Sequence, residues 1–112
     1  MKKLFVFLIL VMVVFFQYCS SAKKAQKAKQ VTTYTTHVQP IIAATCSPCH
    51  IPPGGNKKAL NTYETAKANI DDIISRIQKN PDERGFMPFR HPKLSQDTIQ
   101  VFVNWKAEGL AE

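Results

Sequence analysis

Cys46-Ser47-Pro48-Cys49-His50 is the stretch on which the reading of this 112-residue chain turns. Two cysteines three positions apart, followed at once by a histidine, form the C-x-x-C-H pattern through which a c-type haem is attached covalently. The spacing has a mechanical reason. Two thiols on one helical turn can each form a thioether to a haem vinyl group, and the adjoining imidazole then swings beneath the iron. The same five residues admit three other uses. A redox dithiol would need a low-pKa thiolate at a helix start beside a βαβ pattern, and no such pattern is visible. A zinc site could draw Cys46 and Cys49 together with two of His37, His50 and His91, although the usual paired histidine spacing is absent. The third use is a disulfide in an oxidising compartment.

A haem iron held by one histidine needs a sixth ligand. Met87 lies 37 residues beyond His50 and is the one methionine after the N-terminal segment that holds Met1 and Met12. It stands in Arg84-Gly85-Phe86-Met87-Pro88-Phe89, where Gly85 and Pro88 stop a helix from continuing, so its thioether is presented from a constrained loop. Thioether sulfur is soft, favours ferrous iron and raises the reduction potential relative to two histidines. The competing use for a methionine between two phenylalanines is core packing. His91 is the rival ligand and His37 a weaker one; both are otherwise exposed or hydrogen-bonded.

Around these residues the chain alternates with period two nowhere over a useful length, which predicts an all-α domain. Tyr63, Ala66, Ile70, Ile73, Ile74 and Ile77 recur at helical spacing, predicting one helix from a Thr62 cap to a stop at Asn80-Pro81. A last helix starts after Ser95, turns Ile99, Phe102, Val103 and Trp105 inward, and stops at Gly109. Val38, Ile41 and Ile42 form a first turn or two, with Pro40 near the helix start. Residues 51–56, Ile-Pro-Pro-Gly-Gly-Asn, read as an irregular loop. A domain of this size sits near the limit of roughly 70–80 residues below which a core needs help, and a haem would fill its centre.

Upstream, Lys2-Lys3 and the thirteen apolar residues 4–16 read as the charged and hydrophobic regions of a secretory signal. The run is short of the roughly 20 residues that a membrane span needs. The signal is assigned to residues 1–18, with cleavage before Cys19 or after Ala22. Cys19 stands where a bacterial lipoprotein carries its lipidated cysteine, and residues 16–18, Phe-Gln-Tyr, depart from the small residues usual before it. Residues 19–35 are read as a lysine-rich tether and 36–112 as the haem domain. With Cys19 lipidated, Lys23, Lys24, Lys27 and Lys29 would lie against anionic headgroups. The expected location is therefore outside the cytoplasm, periplasmic and tethered to a membrane.

Charge supports this division. The chain has 15 Lys and Arg against 8 Asp and Glu, but six of the lysines fall within residues 1–29, which hold no acid. The remaining nine basic residues nearly balance the acids. A nucleic-acid binder would carry its positive charge on the folded part, so nucleic acid is not expected as a partner.

With these residues in view, the chain resembles the class I c-type cytochromes, and more closely the small bacterial monohaem domains with a V-x-P-I motif ahead of the haem cysteines. Val38-Gln39-Pro40-Ile41, Cys46 to His50, Leu60 with Tyr63, Met87-Pro88, Leu94-Ser95, Ile99, Trp105 and Gly109 carry the resemblance. It implies three to four helices around one covalently bound haem c, with the terminal helices packed on each other and one haem edge exposed. Cys46 and Cys49 are then the attachment residues, His50 the proximal ligand and Met87 the distal ligand. Here the Met-bearing segment is short, and Arg90 and His91 add charge near the expected haem edge.

The expected role is that of a one-electron carrier, not an enzyme, between a donor and an acceptor redox protein. The chain would act as a monomer or in transient complexes, with Lys57, Lys58, Arg90 and Lys93 steering an acidic partner. Two alternatives are a gas sensor or peroxidase-like domain with a displaceable distal ligand, using Arg84, Arg90 or His91, and a haem subunit docked on a larger oxidoreductase.

Overall fold

The structure, a computed structural model, describes residues 1–4, 6 and 29–112. Two units are distinguished, Met1–Gln30 and Val31–Glu112. Most of the apolar run, Cys19 and the tether up to residue 28 lie outside the described residues. Among those described, no helix is long and apolar enough to cross a membrane.

The second unit is all-α. Five helical elements follow one another: α1 (Tyr34–Val38), a single wide turn of π-helix, α2 (Gln39–Thr45), α3 (Tyr63–Ala68), α4 (Ile70–Gln78) and α5 (Gln96–Ala107). No strand occurs among the described residues; one isolated parallel bridge joins Thr33 to Ala111. The unit begins at Val31, so residues 31–35 belong to the fold and not to the tether. Tyr34 is the reason. Its ring is 4% exposed and packs at 5.8 Å from both Tyr63 and Trp105, a contact with distant parts of the chain that local composition does not reveal.

α1 starts on Thr33, whose hydroxyl accepts the Thr36 N–H at 3.4 Å. His37 completes the cap by accepting the Thr33 N–H on Nδ1 at 3.0 Å. α2 follows directly and tolerates Pro40 in its first turn, where a missing N–H leaves no hydrogen bond unmade.

The single helix expected from Tyr63 to Ile77 is two, α3 and α4, divided at Asn69. The Asn69 side-chain amide donates to the Thr65 carbonyl at 2.7 Å, in competition with the backbone. The Asn69 N–H bonds to the Ala66 carbonyl at 3.2 Å instead, which tightens the turn. Buried positions continue across the break as Ala66, Ile70, Ile73 and Ile77, so one apolar rhythm serves both helices. This division, with α1 as a separate turn, raises the expected three or four helices to five.

α5 opens on Ser95, whose hydroxyl accepts the Thr98 N–H at 3.2 Å, and buries Ile99, Phe102 and Trp105, with Val103 half-buried. Its end is a Schellman turn: Leu110 N–H to Trp105 carbonyl at 2.9 Å and Gly109 N–H to Lys106 carbonyl at 3.4 Å, with Gly109 at φ 99°. α5 packs on both α1 and α4, so the first and last helical elements meet. The core they enclose is Val38, Ile42, Ile99, Phe102 and Trp105 at its most buried, joined by Leu60 and the inner face of α4.

Candidate functional site

α2 ends at Cys46, and the next four residues close one further turn, with the His50 N–H on the Cys46 carbonyl at 3.0 Å. Both thiols are free; Cys46 is half-buried and Cys49 exposed. Burial pushes the Cys46 thiol up, against a smaller opposing pull from the Thr45 hydroxyl at 3.7 Å from its sulfur. A redox dithiol needs the opposite, a thiolate favoured by its surroundings.

Residues 51–60 fold back over this turn and fix it. Lys57 N–H donates to the Cys49 carbonyl at 3.0 Å and Leu60 N–H to the His50 carbonyl at 3.0 Å. Gly55 lies so close that a Cβ there would stand 2.2 Å from the carbonyl oxygens of Pro48 and Cys49. Only glycine lets the loop reach the turn.

His50 is oriented by a backbone group. Its Nδ1 lies 2.6 Å from the Lys58 carbonyl oxygen, which can only accept, so Nδ1 carries the proton. In the neutral ring Nε2 is then the atom with the lone pair. A histidine held in this tautomer by a carbonyl is prepared to bind a metal through its other nitrogen.

Cys46, Cys49 and His50 line a cavity of about 390 Å³. Met87, Pro88, Phe89 and His91 line the same cavity, and Leu60, Ile73, Ile77, Leu94 and Phe102 supply apolar lining. The size lies in the range of small-molecule and cofactor sites, roughly 300–1,000 Å³. All four residues singled out for haem binding, Cys46, Cys49, His50 and Met87, therefore face one space, although 37 residues separate His50 from Met87. His37 is not among the lining residues and is engaged with Thr33. No group of three or more His, Cys, Asp or Glu able to hold a metal ion occurs among the described residues. A zinc set built on two histidines is thus not assembled.

Of the cations considered for partner steering, Lys57 and Lys58 line the cavity, and Arg90 stacks over the exposed Phe89 ring at 5.1 Å. Lys93 is occupied differently, donating to the Gln78 carbonyl at 3.0 Å and to the Asn80 side-chain oxygen at 3.2 Å. Arg84 is exposed and does not line the cavity.

Sequence reasoning missed Gly55, the Lys58 carbonyl, and Asp72 and Arg76 on the cavity-facing side of α4. The glycine pair after two prolines was a signal for close approach; the Lys58 acceptor, being backbone, left none. Comparison with protein-family models, with curated proteins and with solved structures finds no match to this chain.

Proposed function

We propose that the chain is a monohaem c-type cytochrome, a one-electron carrier of the class I type working outside the cytoplasm. The observation that carries this reading is the His50 imidazole, protonated at Nδ1 by its bond to the Lys58 carbonyl, beside two free thiols and in the lining of the same cavity as Met87. The residues present fit a haem. Cys46 and Cys49 would hold it covalently, His50 Nε2 and the Met87 thioether would ligate its iron, and Leu60, Ile73, Ile77, Leu94 and Phe102 would keep water from it. When bound, the haem supplies the ferric/ferrous couple.

The chain's own part is to keep both axial donors in place, so that little rearranges when the charge changes. The Lys58 carbonyl holds the imidazole ring against rotation. The thioether of Met87 favours the reduced state and sets a higher potential than a second imidazole would. Lys57 and Lys58 put positive charge at the cavity's edge, and Arg90 with Phe89 adds an exposed cationic and aromatic surface. An acidic partner would be steered by such charges without tight binding. Packing of the first helical turn on the last helix agrees with the class I arrangement. Export by the N-terminal signal and anchoring through a lipidated Cys19 complete the reading; they place the carrier at a membrane surface.

The test is the optical spectrum of the protein matured with haem, in both redox states, with carbon monoxide then added to the ferrous form. A low-spin c-type spectrum, a ferric sulfur-to-iron charge-transfer band and no shift with carbon monoxide are expected. Met87→Ala should remove the band and admit carbon monoxide. A wild-type protein that is high-spin and shifts with carbon monoxide would sink the carrier and favour sensing or catalysis. Mass spectrometry of the mature N-terminus should find an acylated Cys19; a chain starting at Lys23 would exclude the anchor.

A further inference from the structure

Met87 lies in a segment without helix or strand, interrupted by Pro81, Pro88 and Pro92, so something else must hold its thioether in the cavity wall. The contacts that do so converge on one place, the C-terminal end of α4. There the last carbonyls of a helix lack intrahelical partners and the helix dipole is negative, which suits cations and N–H donors.

The Met87 N–H donates to the Arg76 carbonyl at 3.3 Å. The Arg76 guanidinium donates from Nη1 to the Gly85 carbonyl at 3.4 Å, and its Nε is oriented by Asp72 at 2.8 Å. Gly85 has φ 86°, a conformation that glycine adopts without strain and that turns the segment back toward α4. Beyond Met87, Lys93 reaches the same helix end, donating to the Gln78 carbonyl at 3.0 Å and the Asn80 side-chain oxygen at 3.2 Å. One cation thus fastens the segment two residues before Met87 and another six residues after it.

We propose that Arg76 and Lys93 form a two-point clamp that keeps the Met87 thioether seated. Both are positioning residues for the distal ligand, and the assignment rests on Met87 having that role. The clamp sets how often the segment lifts from α4 and opens the distal position to a small ligand. Lys93 on this view serves the site's closure and not partner docking.

The experiment uses the haem-loaded protein with Arg76→Leu, Lys93→Ala and both together, plus Lys93→Arg as the conservative variant. Arg76→Leu retains an apolar stem without adding a ligating atom to the cavity lining, and Lys93 is exposed, so its variants leave the core intact. Two quantities are read: the rate of carbon monoxide uptake by the ferrous form, and the hydrogen exchange of the Met87 amide. Each clamp contact is of ordinary hydrogen-bond strength, so each single variant should speed both by about five- to tenfold, and the pair by more. Lys93→Arg should restore the slow rates, and Met87→Ala marks the fully open limit. A merely structural role would lower the unfolding midpoint and leave carbon monoxide uptake under native conditions unchanged. If wild type is closed and the variants match it in both rates, the clamp is overturned while Met87 stands as ligand. If wild type itself takes up carbon monoxide as fast as Met87→Ala, Met87 is not the distal ligand and both proposals fall.

Discussion

The two sides of the helical unit are finished in different ways. On one side the chain closes on itself: Trp105 Nε1 donates to the Ala111 carbonyl at 2.7 Å, Tyr63 hydroxyl to the Leu110 carbonyl at 2.9 Å, and Tyr34 N–H to the Ala111 carbonyl at 2.9 Å. Thr32 N–H reaches the Glu108 carboxylate at 2.7 Å, so both ends of the unit are joined there. On the other side, Cys46 to His50 and the Met87 segment line one cavity of about 390 Å³. The first side is closed by the chain's own contacts; the second lines the cavity to which the proposed haem is assigned. On that reading, stability built by the chain and stability lent by a ligand are spatially separate, and substitutions can tell them apart.

On the proposed reading, the largest effect should come from withholding the haem. A Cys46→Ala, Cys49→Ala double variant leaves the cavity side with facing apolar walls and no filling, and small domains hold only about 5–15 kcal/mol in reserve. Circular dichroism should retain part of the helical signal while the near-ultraviolet bands of Trp105 and Tyr34 weaken, without a cooperative thermal transition. A sharp transition in that variant would show that the cavity side stands unaided.

Next in size is damage to the closed side. Trp105 is 0% exposed and touches both Tyr34 and Tyr63, so Trp105→Ala should cost about 3–5 kcal/mol in urea unfolding of the haem-loaded protein. Trp105→Phe keeps much of the ring and leaves the Ala111 carbonyl without its indole donor, a loss of about 1–2 kcal/mol. The axial spectrum should be unchanged in Trp105→Phe. A spectral change there would mean that the two sides are coupled through α5.

Gly55→Ala acts on the cavity side alone. The added methyl would meet the Pro48 and Cys49 carbonyls at 2.2 Å, so the loop must withdraw from the attachment turn. We expect about 1–3 kcal/mol of destabilisation together with a lower yield of covalently attached haem. Normal yield and stability would mean that the loop yields without disturbing His50.

What the sequence displays and what it conceals follow the same division. Features written in one side chain were legible: the cysteine pair with His50, Met87 in a proline-bounded segment, the Ser95 cap and the Gly109 stop. Periodicity supplied the inner faces of α4 and α5. It overran the break at Asn69, because the apolar rhythm passes through a turn that one side-chain amide creates. The beginning of the unit at Val31 depends on Tyr34 meeting Trp105, a contact that no local pattern announces. The acceptors that fix His50 and Met87 are the carbonyls of Lys58 and Arg76, and a backbone carbonyl looks alike in every residue.

The smallest effect is the most specific, because it concerns the one flaw in the closed side. The Tyr34 hydroxyl is buried and has no hydrogen-bond partner among the described residues, while its ring fills the aromatic cluster. Tyr34→Phe should therefore be neutral or stabilising by up to about 1 kcal/mol at neutral pH. Its pH dependence has a definite sign. Burial raises the Tyr34 pKa above its ordinary 10.0, so below that pH the group is protonated in both states and contributes no pH dependence. As pH rises past 10.0 the unfolded chain ionises first, and stability falls until the folded value is reached. Tyr34→Phe removes that loss. Urea unfolding at neutral pH and again above pH 10.0 should show the variant's advantage growing with pH. A variant clearly weaker than wild type at neutral pH would mean that the hydroxyl is satisfied by a buried water, and that the closed side has no flaw.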